Sequence, residues 1–222
     1  KQVEWSPELL LCFLQTVAPE PTSQRLPILL QIVQENTAFF GIEEIVLPAL
    51  EQAYQARSTL PAEATDQLWK HCTDYYLKRA DTPPAAPENW TQPLTAEQMD
   101  GLRADIKEFA LDPNSKEVRF RLRTELRQEI HHIIDSRHLD ITHVTERKGR
   151  PYTLVCTKTL GYYERACRQY ERDFCDMQRL LALPGSEAQK NQPITDSLRS
   201  AVALGKPWQA VPEDELDLPA SS

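Results

Sequence analysis

Along the first third of the chain the apolar residues recur every three or four positions. In "WSPELLLCFLQTV" Ser6 stands where a hydroxyl caps a helix, Pro7 takes the first helical position, and Glu8 lies near the positive end of the dipole. The segments "RLPILLQIVQ", "GIEEIVLPALEQAYQ" and "DQLWKHCTDYYLKR" follow at the same spacing, each long enough for three or four turns. No strand pattern interrupts them and no fixed repeat emerges. Residues 6 to 79 therefore predict a helical bundle or an irregular helical stack.

"ADTPPAAPENWTQPLT" then breaks the period with four prolines and reads as an extended connector pinned by Trp90. "TAEQ", Thr95 to Gln98, has capping-box spacing and predicts a helix to about Ala110. From Lys116 the period falls to two. "EVRFRLR" places Val118, Phe120 and Leu122 on one face of a strand and Arg119, Arg121 and Arg123 on the other. "TELRQEIHHIIDS" returns to helical spacing with Leu126, Ile130, Ile133 and Ile134. "DITHVTERKGRPYTLVCTKT" then reads as two alternating runs joined by a basic turn. A long helix from about Thr159 to Leu183 carries the seam Leu160, Tyr163, Cys167, Tyr170, Phe174, Met177 and Leu181.

The expected fold class is thus mostly α with a small α+β part: a helical bundle or stack, then a helix-strand-helix-hairpin-helix unit. The chain order suggests an acidic helical part (1–80), a proline-rich connector (81–95), the α+β part with its basic hairpin (96–184) and a polar acidic tail (185–222). The tail's "VPEDELDLPASS" has the composition of disordered chain.

Composition adds bounds to this picture. With 222 residues, 41% of them hydrophobic, the chain is long enough to bury a core. No apolar run approaches the roughly 20 residues that span a bilayer, so no membrane partner is expected. The five cysteines lie far apart without a C-x-x-C pair, which predicts free thiols in a reducing compartment, the cytoplasm or nucleus. The opening Lys1, without a methionine, leads us to expect a piece of a longer protein.

Charge alters the reading more. The chain carries a formal net charge of -8, yet residues 115 to 182 hold 14 Lys and Arg against 10 Asp and Glu. Three basic groups stand out there: Arg119, Arg121 and Arg123 on the strand; Arg147, Lys148 and Arg150 at the turn, with Tyr152 beside them; and Arg165, Arg168, Arg172 and Arg179 along the last helix. Guanidinium groups bind phosphate oxygens bidentately, so convergence of these groups would make an anion or nucleic-acid site. The competing reading is a solvated face of internal pairs, because Glu164, Glu171, Asp173 and Asp176 are interleaved with the helical arginines.

No complete catalytic signature accompanies them. His131, His132, His138 and His143 lie near Cys156 in the sequence, but their spacings match no zinc motif. The pair His138 and Asp140 is not followed by the distant histidine that an iron facial triad requires. Cys156 with His143 as base is a possible nucleophile pair across the hairpin, and a packed cysteine is the simpler account. Neither a nucleophile elbow nor a phosphate-binding glycine loop is present. No cofactor and no metal are expected.

The phrases "FALDP", "VRFRLR", "LDITHVTERKGRPYTLVCTKT" and "YERACRQYERD", with the preceding "LWKHCTDYYLKRADTPPAAPENW", carry a family likeness. They resemble the carboxy-terminal region of a set of uncharacterised bacterial and fungal proteins, some described as 2-oxoglutarate and iron(II) dependent oxygenases. The likeness runs over residues 67 to 182. It implies no activity for this chain, because the oxygenase residues belong to a different part of such proteins. In those relatives a cysteine-rich stretch precedes the "FALDP" equivalent, whereas "PLTAEQMDGLRADIKEF" here holds no cysteine, so a metal site is not carried over. The functional expectation is a non-catalytic interaction module of a larger intracellular protein, binding a protein partner. The alternative is a nucleic-acid-binding accessory domain using the basic hairpin and the arginine-faced strand.

Overall fold

A computed structural model describes residues 5–18, 25–55, 60–205, 211–216 and 218–219. Among them the elements run α1 (Pro7–Val17), α2 (Arg25–Glu35), a π-helical turn Ile42–Val46, α3 (Leu47–Gln55), α4 (Ala62–Ala80), α5 (Ala96–Met99), α6 (Ala104–Leu111), β1 (Glu117–Arg121), α7 (Thr124–Ser136), β2 (Ile141–Glu146), β3 (Thr153–Lys158), α8 (Gly161–Leu181) and α9 (Gln192–Leu204). The chain is mostly helical with one small antiparallel sheet of order β1-β3-β2.

Two compact units form, and neither is continuous in sequence: residues 1–83 with 169–208, and residues 84–168 with 209–222. Chain order suggests a cut at the proline-rich segment and a separate polar acidic tail from residue 185. The structure instead returns the second half of α8, and α9, to the N-terminal helices. The reason lies in the apolar faces. Met177, Leu180 and Leu198 are buried with Leu10, Leu14, Leu30, Val33, Leu47, Leu50, Leu68, Trp69, Cys72 and Tyr76 in one core.

Polar clasps secure that return. Trp69 Nε1 donates to the Leu180 carbonyl at 3.0 Å and the Tyr76 hydroxyl to Asp176 at 2.8 Å. Arg79 pairs with Asp173 at 2.7 Å and Arg179 pairs with Glu51 at 2.6 Å. The Tyr76 proton is held well above the ordinary phenol range by burial and by the Asp176 carboxylate.

Helix starts follow the sequence signals closely. Ser6 accepts from the Leu9 amide, and Thr95 and Gln98 close a full capping box. The helix predicted from Thr95 to Ala110 is however two helices, because the chain turns at Gly101, whose φ of 61° lies in the left-handed region. The segment "GIEEIVLPALEQAYQ" also divides. Pro48 offers no N–H and crowds the carbonyl four residues back, and the preceding turn widens so that the Leu47 amide reaches the Ile42 carbonyl.

In the second unit, α6 and α7 pack on one face of the sheet. Ile106, Phe109, Ala110, Ile130, Ile134, Ile141, Leu154 and Cys156 form its core. The connector is ordered here: Trp90 is buried, with its amide bonded to the Pro113 carbonyl and its Nε1 to the Pro219 carbonyl at 2.9 Å. The described part of the acidic tail therefore is not free chain. Glu213 pairs with Lys116, whose ammonium lies 4.8 Å over the Trp90 ring.

Candidate anion-binding surface

The sheet has a covered face and an open one. Opposite residues of an antiparallel pair share a face, so the register places Arg119 beside Val155 and Arg121 beside Thr153 on the open side, with Glu117 beyond them. From β2, Thr142, Val144 and Glu146 join that face. Arg119 and Arg121 are exposed. Strand β1 ends at Arg121, and Arg123 serves as the residue before α7, so it leaves the strand face on which the alternation had placed it.

At one end of the sheet several chain segments meet. Thr153, which opens β3, lies between Arg121 of β1 and Glu146 of β2. The turn carrying Arg147, Lys148 and Arg150 projects from that end and reverses at Gly149, whose φ of 80° suits glycine. Arg127, buried on the first turns of α7, fixes the corner. Its Nη1 donates to the carbonyls of Leu122 at 3.0 Å and Tyr152 at 3.4 Å, and its guanidinium lies 5.2 Å from the centre of the Tyr152 ring. Arg123 is thereby held close to the base of the hairpin turn. Sequence reasoning missed Arg127, because nothing in a linear pattern separates a structural arginine from its exposed neighbours.

The residues singled out in the sequence separate by their partners. Arg119 is bound between Glu117, at 2.8 Å, and Glu146. That pairing raises its own proton affinity and lowers that of Glu146. Arg165 makes a two-pronged bond to Asp140 at 2.8 and 2.7 Å, at the opposite end of β2. Arg168 lies 3.6 Å from Glu164, and Arg172 donates to Gln169. By contrast Arg121, Arg123, Arg147, Lys148 and Arg150 are all exposed, and none makes an ion pair with a described residue. Lys148 still acts at longer range, helping to lower the proton affinity of Glu146. Tyr152, half-buried beneath Arg127, has one ring face occupied.

Of the helix-borne group, Arg165, Arg168 and Arg179 are engaged with carboxylates and Arg172 with a glutamine amide, while the strand-end and turn groups come together. Five cations at one end of a small sheet can hold phosphate oxygens by charge and by forked N–H donors. They supply no acid, base or nucleophile in a cleft.

Among the described residues no three His, Cys, Asp or Glu side chains gather to hold a metal. Cys156 faces the core, and burial pushes its thiol up to about 12, so it is no thiolate nucleophile at neutral pH. A hollow of about 570 Å³ beside Thr95, Gln98, Arg137 and His138 is polar. Two of its side chains are already used, Arg137 donating to the Glu97 carbonyl at 2.8 Å and Gln98 to the Arg137 carbonyl at 3.1 Å.

The first unit carries a different surface. Leu9 and Phe13 on α1, Ile28 and Ile32 on α2, and Phe39 are 40 to 63% exposed, which is a high apolar content for two adjacent helices. Trp5 stacks near Phe13 and Phe40, at 5.9 and 4.8 Å between ring centres. Among the described residues no helix is long and apolar enough to cross a membrane. No family model, no curated protein and no solved structure matches the chain.

Proposed function

We propose that this chain is a non-catalytic interaction module whose second unit contacts a polyanion, with the phosphate backbone of a nucleic acid as the best-fitting partner. The observation that carries this reading is the meeting of Arg121, Arg123, Arg147, Lys148 and Arg150 at one end of the sheet, unpaired among the described residues, whereas Arg119, Arg165 and Arg168 are paired with carboxylates. Tyr152 has one ring face covered by Arg127 and the open sheet face carries no aromatic side chain, so the contact is with phosphates and not with stacked bases. Binding of this kind is indifferent to sequence and steeply salt-dependent.

Titration into fluorescent single- and double-stranded DNA and RNA at two salt concentrations tests it. Five phosphate contacts give a log–log salt slope of about −3.5 to −4.5. Changing Arg147, Lys148 and Arg150 together to alanine should weaken binding about tenfold or more and shallow that slope. Arg165→Ala, which removes a paired arginine at the far end of β2, should leave affinity unchanged. Absence of binding at low salt, or equal loss in both variants, rejects the reading.

A second reading, a protein partner, is favoured by the exposed apolar side chains of α1 and α2. Phe13→Gln with Ile32→Gln should abolish a salt-insensitive protein contact and leave nucleic-acid affinity intact.

A further inference from the structure

Helix α7 is held to the sheet by two polar side chains one turn apart. Arg127 works at the corner described above, and His131 works at the rim of the core between Ile130 and Ile134. His131 Nδ1 lies 2.5 Å from His143 Nδ1 on β2, with the rings at 80° to each other. The two outer nitrogens are also anchored: His131 Nε2 lies 3.3 Å from the Thr145 hydroxyl and His143 Nε2 lies 3.0 Å from Asp135.

This chain of contacts counts protons. With both rings neutral, Thr145 donates to His131 Nε2, His131 Nδ1–H donates to His143, and His143 Nε2–H donates to Asp135. One added proton is also accommodated. His143 as an imidazolium donates to Asp135 on one side and to His131 on the other, while His131 turns its Nε2–H toward Thr145. A second proton leaves two N–H groups pointing at each other across 2.5 Å, with two positive charges in contact.

We propose that His131 and His143 form a proton-operated clasp between α7 and β2, closed with at most one proton on the pair and opened by the second. This inference stands independently of the anion-binding reading.

The groups around the pair favour that behaviour. Burial, the charge of His143 and Arg127 on the same helix all hold His131 below the ordinary imidazole range, and Asp135 opposes them only in part. On the sheet Thr145 is uncharged, and Cys156, opposite His143 in the register, keeps its proton at neutral pH. From α6, Asp105 contributes to that thiol's high proton affinity.

The sign follows. A histidine whose folded proton affinity lies below its unfolded value gives its full stabilisation above about pH 6.5, the unfolded midpoint, and loses it progressively as pH falls through the folded midpoint. Acidification from about pH 7.5 to 5 should therefore loosen the C-terminal half of α7 and edge strand β2.

Hydrogen exchange of the full chain over residues 139–146, corrected for the intrinsic rate at each pH, reads the opening directly. Histidine NMR titrations of wild type, His143→Gln and Asp135→Asn read the coupling. We expect exchange to accelerate tenfold or more on acidification in wild type. His131 should titrate below the ordinary imidazole range, moving up in His143→Gln and further down in Asp135→Asn, which keeps both rings. Exchange independent of pH, or a His131 midpoint unmoved by both substitutions, would falsify the clasp.

Discussion

Two buried contacts show how much a single side chain decides. A methyl group built on Gly185 would lie 2.6 Å from Trp69 Cγ, against an indole that is fully buried and bonded through its N–H to Leu180. A rigid neighbour of that kind has nowhere to move. Gly185→Ala is expected to cost about 1–3 kcal/mol, visible as a lower Tm. Lys158 is the opposite case, a charge placed inside. It is 1% exposed, its ammonium donates to the Asp112 carbonyl at 2.5 Å and lies 4.7 Å from the Phe109 ring centre, and burial lowers its pKa to about 8. The depressed value means that the folded state prefers the neutral amine. Stability should then rise as pH increases from about 8 toward the unfolded midpoint near 10.4. Lys158→Met should flatten that rise, and Tm measured across pH 7 to 10 in both proteins decides it.

At the scale of the element, the legible features were those written in local chemistry. Ser6 and Thr95 announced their helix starts, and the alternation of Val118, Phe120, Ile141 and Leu154 announced the sheet, because caps and period-two burial depend on neighbours in sequence. What stayed hidden depended on distant partners. Arg119 and Arg121 look alike in "VRFRLR", and only the fold shows Glu117 and, from across the sheet, Glu146 pairing with the first while the second is spared. The break at Gly101 was equally silent, since a glycine in a helical pattern does not disclose its φ. Arg127 belongs to the same class, and its role can be checked. Arg127→Lys keeps the charge but loses the fork that reaches Leu122 and Tyr152. It should lower Tm and weaken nucleic-acid binding together, in contrast to the turn variants, which should weaken binding at unchanged Tm.

For the molecule as a whole the governing fact is that neither unit is a continuous stretch of chain. The core of the first unit needs Met177, Leu180 and Leu198, and the clasps from Tyr76 to Asp176 and from Arg79 to Asp173 cross the same gap in sequence. A chain ending at Arg168 should therefore lose the cooperative unfolding of its N-terminal helices, with dye binding reporting exposed apolar surface. The segment 84–168, which lies wholly in the second unit, should be less affected.

That division also sets an order of events on the ribosome. Chains are made from the N-terminus at about 5–20 residues per second, and domains usually fold in the order they emerge. Here the order in which the two hydrophobic cores can close is reversed. Residues 1–83 are synthesised first but lack Leu198 until more than a hundred further residues have been added, a wait of roughly 6–25 s at those rates. During that interval the intervening segment 84–168 has emerged and can close its own core, while Leu68, Trp69 and Cys72 stand without their partners. The newborn N-terminal helices are thus the natural client for a chaperone, and slowing translation before residue 169 should lengthen their exposure while leaving the sheet-bearing unit untouched.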